Sequence, residues 1–122
     1  MSKTILAVDD SPSVRQMVRL TLVGAGYTVV EAVDGQDALE KATAHRFDAI
    51  LTDQNMPRLD GIGFIRQFRT LPEGKGVPIV FLSTESQDTL KAQAKEAGAI
   101  GWMIKPFDQA QLLAVVKKVA GA

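Results

Sequence analysis

Residues 49–57 read Ala49-Ile50-Leu51-Thr52-Asp53-Gln54-Asn55-Met56-Pro57, an apolar run of strand length that breaks off at a carboxylate and is followed by a Met-Pro turn. A buried strand ending in Asp53 sets an acid at its mouth, where it is poised for chemistry. The same arrangement occurs upstream, where Thr4-Ile5-Leu6-Ala7-Val8 runs into Asp9-Asp10. Two later apolar runs stop at Ser83 and at Lys105-Pro106, so four strand ends carry polar groups.

Working outward, apolar runs alternate with segments of helical period. The strands are expected at Thr4 to Asp9, Thr28 to Ala32, Ala49 to Asp53, Ile79 to Ser83 and Gly101 to Lys105, each apolar enough to predict burial on both faces. Between the first two, Val14, Met17, Val18, Thr21, Leu22 and Ala25 recur at helical spacing, with Ser11 as cap, Pro12 in the first turn and Gly26 as stop. A second helix starts after Asp34-Gly35 and turns Ala38, Leu39 and Ala42 inward. A third carries Ile62, Ile65 and Phe68 and closes before the loop from Leu71 to Gly76. The fourth is expected from about Gln87 to Ala97, stopped by Gly98. The fifth runs from Asp108 and buries Leu112, Leu113, Val116 and Ala120. Five β-α units in series predict a doubly wound α/β sandwich, since parallel neighbours need right-handed helical crossovers. Ligands in such sheets bind beyond the strand carboxyl ends where strand order reverses, which gathers Asp9, Asp10, Asp53, Ser83 and Lys105 in one place.

The chain has 122 residues, the size of one domain spanning residues 1–122. Fourteen basic and fourteen acidic residues cancel, so no positive field recruits nucleic acid or an anionic membrane. Cysteine is absent, which excludes disulfides, thiolate metal sites and cysteine nucleophiles and agrees with a reducing cytosol. From Met1-Ser2-Lys3 the chain enters a short apolar run that soon meets two aspartates, so neither a signal peptide nor a membrane span is expected. The expected location is the cytoplasm.

Carboxylates on adjacent strand ends approach to roughly 5 Å, where two unit charges repel by about 3 kcal/mol at an effective dielectric near 20. Three such groups resist ionising together unless a positive charge joins them. A hard divalent cation such as Mg²⁺ suits oxygen ligands. Zinc does not, because the single histidine, His45, lies elsewhere on the sheet edge and there is no thiolate. With a cation in place, one carboxylate can attack a phosphoryl group. Lys105 then supplies a second positive charge and the Ser83 hydroxyl a hydrogen bond.

The Asp9-Asp10 pair, the stretch from Asp53 to Gly61, Ser83 and Lys105-Pro106-Phe107 together resemble the receiver domain of two-component response regulators, most closely the CheY-like stand-alone chemotaxis regulators, over essentially the whole chain. The resemblance implies a five-stranded parallel sheet in the order 2-1-3-4-5 with helices on both faces. It implies that Asp53 accepts a phosphoryl group from a histidine kinase, and that Asp10, Asp53 and the backbone carbonyl of Asn55 bind Mg²⁺, with Asp9 helping through water. Ser83 and Lys105 would engage the phosphoryl group, and the Lys105-Pro106 peptide would be cis. Ser83 and Trp102 would form the switch, with Asn55 and Glu85 setting how long the phosphoryl group lasts. The output face would lie on the fourth helix, fifth strand and fifth helix, around Ser83, Lys91, Trp102 and Val115.

Some positions depart from the family's commonest pattern. Ser83 stands where many relatives have threonine, Trp102 where chemotaxis regulators carry tyrosine or phenylalanine, and Gln54 where some have an aromatic residue. Plainer readings compete: Asp9-Asp10 as a turn or cap, Ser83 as a turn hydroxyl, Lys105 as a solvated strand end, Trp102 as a strand residue, and His45 as a surface residue near a helix C-terminus. In function, a monomeric switch is expected that works on itself and is not a turnover enzyme, with a flagellar motor or a phosphotransfer protein downstream. Relay intermediate and phosphate sink are alternatives. A metal-dependent phosphohydrolase is the rival from another class, weakened by Asn55 standing where such enzymes need an acid-base carboxylate.

Overall fold

The computed structural model describes residues 3–85 and 87–121, so the Met1-Ser2 start lies outside the described residues. Five strands, β1 (Thr4–Val8), β2 (Thr28–Ala32), β3 (Ala49–Asp53), β4 (Ile79–Ser83) and β5 (Gly101–Ile104), alternate with helices α1 (Pro12–Gly24), α2 (Gly35–Ala44), α3 (Gly61–Arg69), α4 (Asp88–Ala97) and α5 (Gln109–Ala120). A short 3₁₀ turn, Pro72–Gly74, sits between α3 and β4. The strands pair in parallel in the order β2-β1-β3-β4-β5. This is the doubly wound sandwich expected, and its strand order reverses between β1 and β3.

The sheet's alternation explains why its strands read as unbroken apolar runs. On one face Leu6, Val8, Ile50, Ile79 and Phe81 pack with Ala38, Ala42, Ile62, Phe64, Ile65, Phe68, Ala94 and Ala97 from α2, α3 and α4. On the other, Ile5, Ala7, Ala49, Leu51, Val80, Leu82 and Met103 pack with Val18, Leu22, Leu112 and Val116 from α1 and α5. Odd and even positions both need a dry partner, so both are mainly apolar, with Thr52, Asp53 and Ser83 as buried polar residues near the strand ends. Burial on both faces holds for β1, β3 and β4 but not for the outer strands. Thr28 and Ile104 are exposed and Val29, Val30 and Glu31 are half-buried, because an edge strand has a neighbour on one side only. Ala25, counted at helical spacing, is exposed and occupies the C-cap of α1.

Ser11, read from sequence as a cap, is one, and three further helices are capped in the same way. Ser11, Asp34, Asp60 and Asp108 each accept a backbone N–H in the first turn of α1, α2, α3 and α5. At α4 the cap position is Gln87, which makes no side-chain capping bond. That helix buries only Ala94 and Ala97, so little apolar area holds it to the sheet. Its far end is better secured. Arg69 reaches from α3 to donate from Nε and Nη2 to the Gly98 carbonyl, at 3.3 and 2.7 Å, and from Nη1 to the Gly74 carbonyl at 2.6 Å. Burial among these carbonyls holds the Arg69 pKa below its ordinary value.

Gly61 opens α3 against the end of β3, and a Cβ there would stand 2.2 Å from the Asp53 carbonyl oxygen. That atom is backbone and cannot swing aside. Gly61→Ala is therefore expected to destabilise the fold by roughly 1–3 kcal/mol, read as a lowered urea midpoint. An unchanged midpoint would show that α3 can shift away from β3 at little cost.

Candidate functional site

Strand register builds the site. Val8 pairs with Thr52, so the residues that follow, Asp9 and Asp53, leave the sheet side by side at the point where strand order reverses. Asp9, Asp10 and Asp53 each present a carboxylate oxygen, and the three atoms lie within 4.8 Å of one another. Asp9 and Asp53 are buried while Asp10 faces solvent. β1 ends at Val8 and β5 at Ile104, so Asp9 and Lys105 stand just past their strands. Each still extends the ladder, through Asp9 N–H to the Ala32 carbonyl at 3.1 Å and Lys105 N–H to the Ser83 carbonyl at 2.8 Å.

Lys105 enters from the opposite side. Its ammonium donates to Asp9 Oδ2 at 2.5 Å and lies 3.2 Å from Asp53 Oδ1, with only 14% of the side chain exposed. The Lys105-Pro106 peptide is cis. Asp9 is held further by the Ser11 N–H, which donates to Oδ1 at 2.9 Å. Arg15 donates to the Asp9 carbonyl at 2.5 Å while pairing with Glu31. Burial, and then repulsion from Asp9, push the Asp53 carboxyl above its ordinary pKa, and Lys105 only partly offsets them. For Lys105 burial opposes the charge but is outweighed by the hydrogen bond and attraction to Asp9 and by Asp53, so its pKa is raised.

The remaining residues named from sequence surround this centre. Ser83 is buried at the end of β4, and its Oγ accepts the Glu85 N–H at 3.0 Å. Its own hydroxyl proton is left to donate. Asn55 and Glu85 are exposed on loops that follow β3 and β4. Trp102 lies on β5 with its ring 5.0 Å from that of Phe81 and the Lys91 ammonium 5.5 Å from its centroid. Its indole N–H is buried and has no hydrogen-bond partner among the described residues. His45 caps the end of α2, exposed and edge-on to Phe47, remote from the acids in the fold.

Gln54 follows Asp53 directly and its side chain is turned to the start of α3. Its amide oxygen accepts the Ile62 N–H at 2.9 Å and its amide nitrogen donates to Asp60 at 3.2 Å, so it serves the α3 N-terminus, where free amides need acceptors. Sequence reading also missed the bond from Arg15 to Asp9 and the pair formed by Asp34 and Arg58. Six residues separate Arg15 from Asp9 and 24 separate Arg58 from Asp34, and neither spacing carries a signal for the contact.

The donor set fits a hard divalent cation. Three carboxylate oxygens converge, no imidazole or thiolate is near, and the Asn55 carbonyl accepts no hydrogen bond from the described residues. Among the described residues no helix is long and apolar enough to cross a membrane.

Comparison with known proteins places these features in a family. A family model described as the response regulator receiver domain matches residues 5–117. The chain is similar to the chemotaxis protein CheY4 of Vibrio cholerae, with a TM-score of 0.94 and 44% identity over 98% of this chain and 99% of that one. It is also similar to the receiver domain of the sensor histidine kinase PA1611 from Pseudomonas aeruginosa, solved with a magnesium ion in its active-site cleft, with a TM-score of 0.91 and 31% identity over the whole of both chains. Among curated proteins it is 41% identical over 114 residues to the response regulator MprA of Mycobacterium ulcerans, covering 93% of this chain and 48% of that protein. It is 36% identical over 119 residues to the transcriptional regulatory protein PhoP of Bacillus subtilis, covering 98% and 49%. The chain thus spans about half the length of the curated relatives it matches.

The raised Asp53 pKa has a consequence for stability. The metal-free fold binds that proton more tightly than the unfolded chain, so this contribution is present in acid and is lost as pH rises from the ordinary carboxylate range through the raised value. Asp53→Asn removes the charge with little change of shape. Without divalent cations at pH 7, Asp53→Asn should melt above the parent, and the gap should close as pH falls below the ordinary carboxylate range. A variant melting at or below the parent at pH 7 would mean that the lost ion pair with Lys105 outweighs the relieved repulsion.

Proposed function

The chain belongs to the response regulator receiver domain family, and on that premise we propose that Asp53 takes a phosphoryl group from a histidine kinase and that the aspartyl phosphate so formed controls binding of a partner protein. The observation that carries this reading is the buried Asp53 carboxylate, set between two further acids and an ammonium 3.2 Å away. In the transfer an Asp53 oxygen attacks phosphorus, the phosphorus–nitrogen bond of the donor phosphohistidine breaks, and its electron pair returns to the imidazole ring. Asp10, Asp53 and the Asn55 carbonyl would hold Mg²⁺, with Asp9 assisting. The bound cation neutralises charge on the transferring oxygens.

The chain's own groups do the rest. Lys105 stays fixed to Asp9 and can re-aim its contact from Asp53 to a phosphoryl oxygen. Ser83 already holds the Glu85 N–H, so turning its proton toward the phosphoryl group pulls on the link between β4 and α4. Asn55 and Glu85, both exposed beside the site, govern the approach of the water that ends the signal. The output surface is the face of α4, β5 and α5, where Trp102 separates two grooves. One, of about 650 Å³, is lined by Lys91, Lys95 and Ile100. The other, of about 470 Å³, is lined by Pro106, Phe107 and Val115.

In this reading the protein acts in the cytoplasm and turns over no substrate beyond its own phosphoryl group. The end-to-end similarity to a chemotaxis protein supports a flagellar-motor output. A second reading is favoured by the curated relatives, several named transcriptional regulators, in which a receiver like this one governs a further region of the protein. Relay to a phosphotransfer protein fits the same chemistry.

Exposure to a small acyl phosphate with Mg²⁺, followed by intact mass, should give one acid-stable, base-labile phosphoryl adduct, none without metal and none in Asp53→Ala. An undiminished adduct in Asp53→Ala overturns the assignment, and catalytic turnover of the donor without a stoichiometric adduct favours a phosphohydrolase. Because Trp102 is the single tryptophan, its fluorescence reports the output face. Ser83→Ala should blunt the fluorescence response to phosphorylation while leaving Mg²⁺ binding within about twofold, since the hydroxyl serves the phosphoryl group. A full response in that variant would remove Ser83 from the switch.

A further inference from the structure

The loop from Gln54 to Asp60 is fastened at two places, and only one of them is explained by α3. At its near end, Gly61 N–H donates to the Gln54 carbonyl at 3.0 Å and the Gln54 side chain bridges Ile62 and Asp60. At its far end the chain takes an unfavourable turn. Arg58 has φ +66°, the only non-glycine residue in the left-handed region among those described. Nothing in the core requires arginine there, since the side chain is largely exposed.

What the turn achieves is a contact across the fold. Arg58 Nε donates to Asp34 Oδ2 at 2.8 Å and Nη2 to Oδ1 at 3.1 Å, a two-pronged grip on a buried carboxylate. The same carboxylate caps α2 through the Asp37 N–H at 2.8 Å, so it cannot swing with the loop. Next to it, Gly35 N–H donates to the Leu59 carbonyl at 2.9 Å, and a Cβ on Gly35 would stand 2.1 Å from that oxygen. The hydrogen bond to Arg58 is the largest reason that Asp34 sits below its ordinary pKa. Between the two fastenings lie Asn55, Met56 and Pro57: Met56 packs against the core and the Pro57 carbonyl accepts the Leu59 N–H at 2.7 Å, while Asn55 is exposed and has no side-chain hydrogen bond among the described residues, so its carbonyl depends on the segments that flank it. Arg58 makes no ion pair with Asp9, Asp10 or Asp53.

We propose that Asp34 and Arg58 are positioning residues that clamp the loop so that the Asn55 carbonyl is in place for a divalent cation held by Asp10 and Asp53. This rests on the cation-dependent acceptor function proposed above. Glycine at position 58 isolates the contact, because it accepts the left-handed turn without strain yet cannot reach Asp34.

Calorimetric titration of the full chain with MgCl₂, beside thermal melts without metal, tests the clamp. Arg58→Gly relieves the left-handed strain but leaves the buried Asp34 carboxylate without its partner, so it should melt modestly below the parent while staying fully folded at the titration temperature, and bind Mg²⁺ about tenfold more weakly, in the range found when groups supporting metal ligands are removed. Asp34→Asn keeps a capping oxygen for Asp37 and should weaken binding less. Combining the two should be no worse than Arg58→Gly alone, since both remove one contact. Arg58→Gly binding within twofold of the parent, fully additive losses in the double variant, or weaker binding matched by an equal loss of metal-free stability would each overturn the clamp and leave the acceptor role of Asp53 standing. A parent that binds no Mg²⁺ would sink both.

Discussion

The fold forces together groups that repel. Parallel pairing of β1 with β3 brings Asp9 and Asp53 out of the sheet as neighbours, and Asp10 joins them, so three carboxylates meet within 4.8 Å. Lys105 is the internal answer, bonded to two of them. One ammonium against three carboxylates leaves two negative charges uncompensated when all are ionised, the complement of a divalent cation. The site is therefore electrostatically unfinished by construction, and its charge deficit is what makes it responsive. Any event that adds or removes charge at Asp53 redistributes the contacts of Lys105, which is attached to β5 and through it to the output face.

Much of this was legible in the sequence because its signals are local. Continuous apolar runs ending in Asp9, Asp53, Ser83 and Lys105 gave both the strands and the carboxyl-end site, and parallel pairing followed from the intervening helical periods. Ser11, Asp34, Asp60 and Asp108 stand where capping chemistry demands acceptors. What escaped was set by side chains reaching across the fold. The service of Gln54 to the first turn of α3 is one such contact, since a long amide takes the nearest free N–H. The grip of Arg58, in its left-handed turn, on Asp34 joins segments 24 residues apart, and Arg15 folds back from α1 onto the Asp9 carbonyl, a contact that no local pattern marks. The partial exposure of β2 and β5 depends on which strands become the edges, and composition alone does not distinguish them from central ones.

Rigidity is distributed unevenly around the acids. The loop carrying Asn55 is held at both ends by several hydrogen bonds, whereas among the described residues the segment between Ser83 and α4 shows one bond, from the Glu85 N–H to the Ser83 hydroxyl. A site that must bind a cation in fixed geometry and also signal needs this contrast. The ligand side is built to stay still, and the serine side is built to move.

The grip of Arg69 on the Gly98 carbonyl gives α4 a mechanical asymmetry. Restrained at its C-terminal end and held to the sheet by Ala94, Ala97 and the half-buried Leu90, the helix resembles a lever with its fulcrum at Arg69 and its more lightly held arm beside Ser83. In the proposed switch a tug at the serine would be taken up as rotation about that pivot, with displacement growing along the arm toward Ser83. Lys91, partway along it and stacked over Trp102, would travel with the arm and uncover the indole.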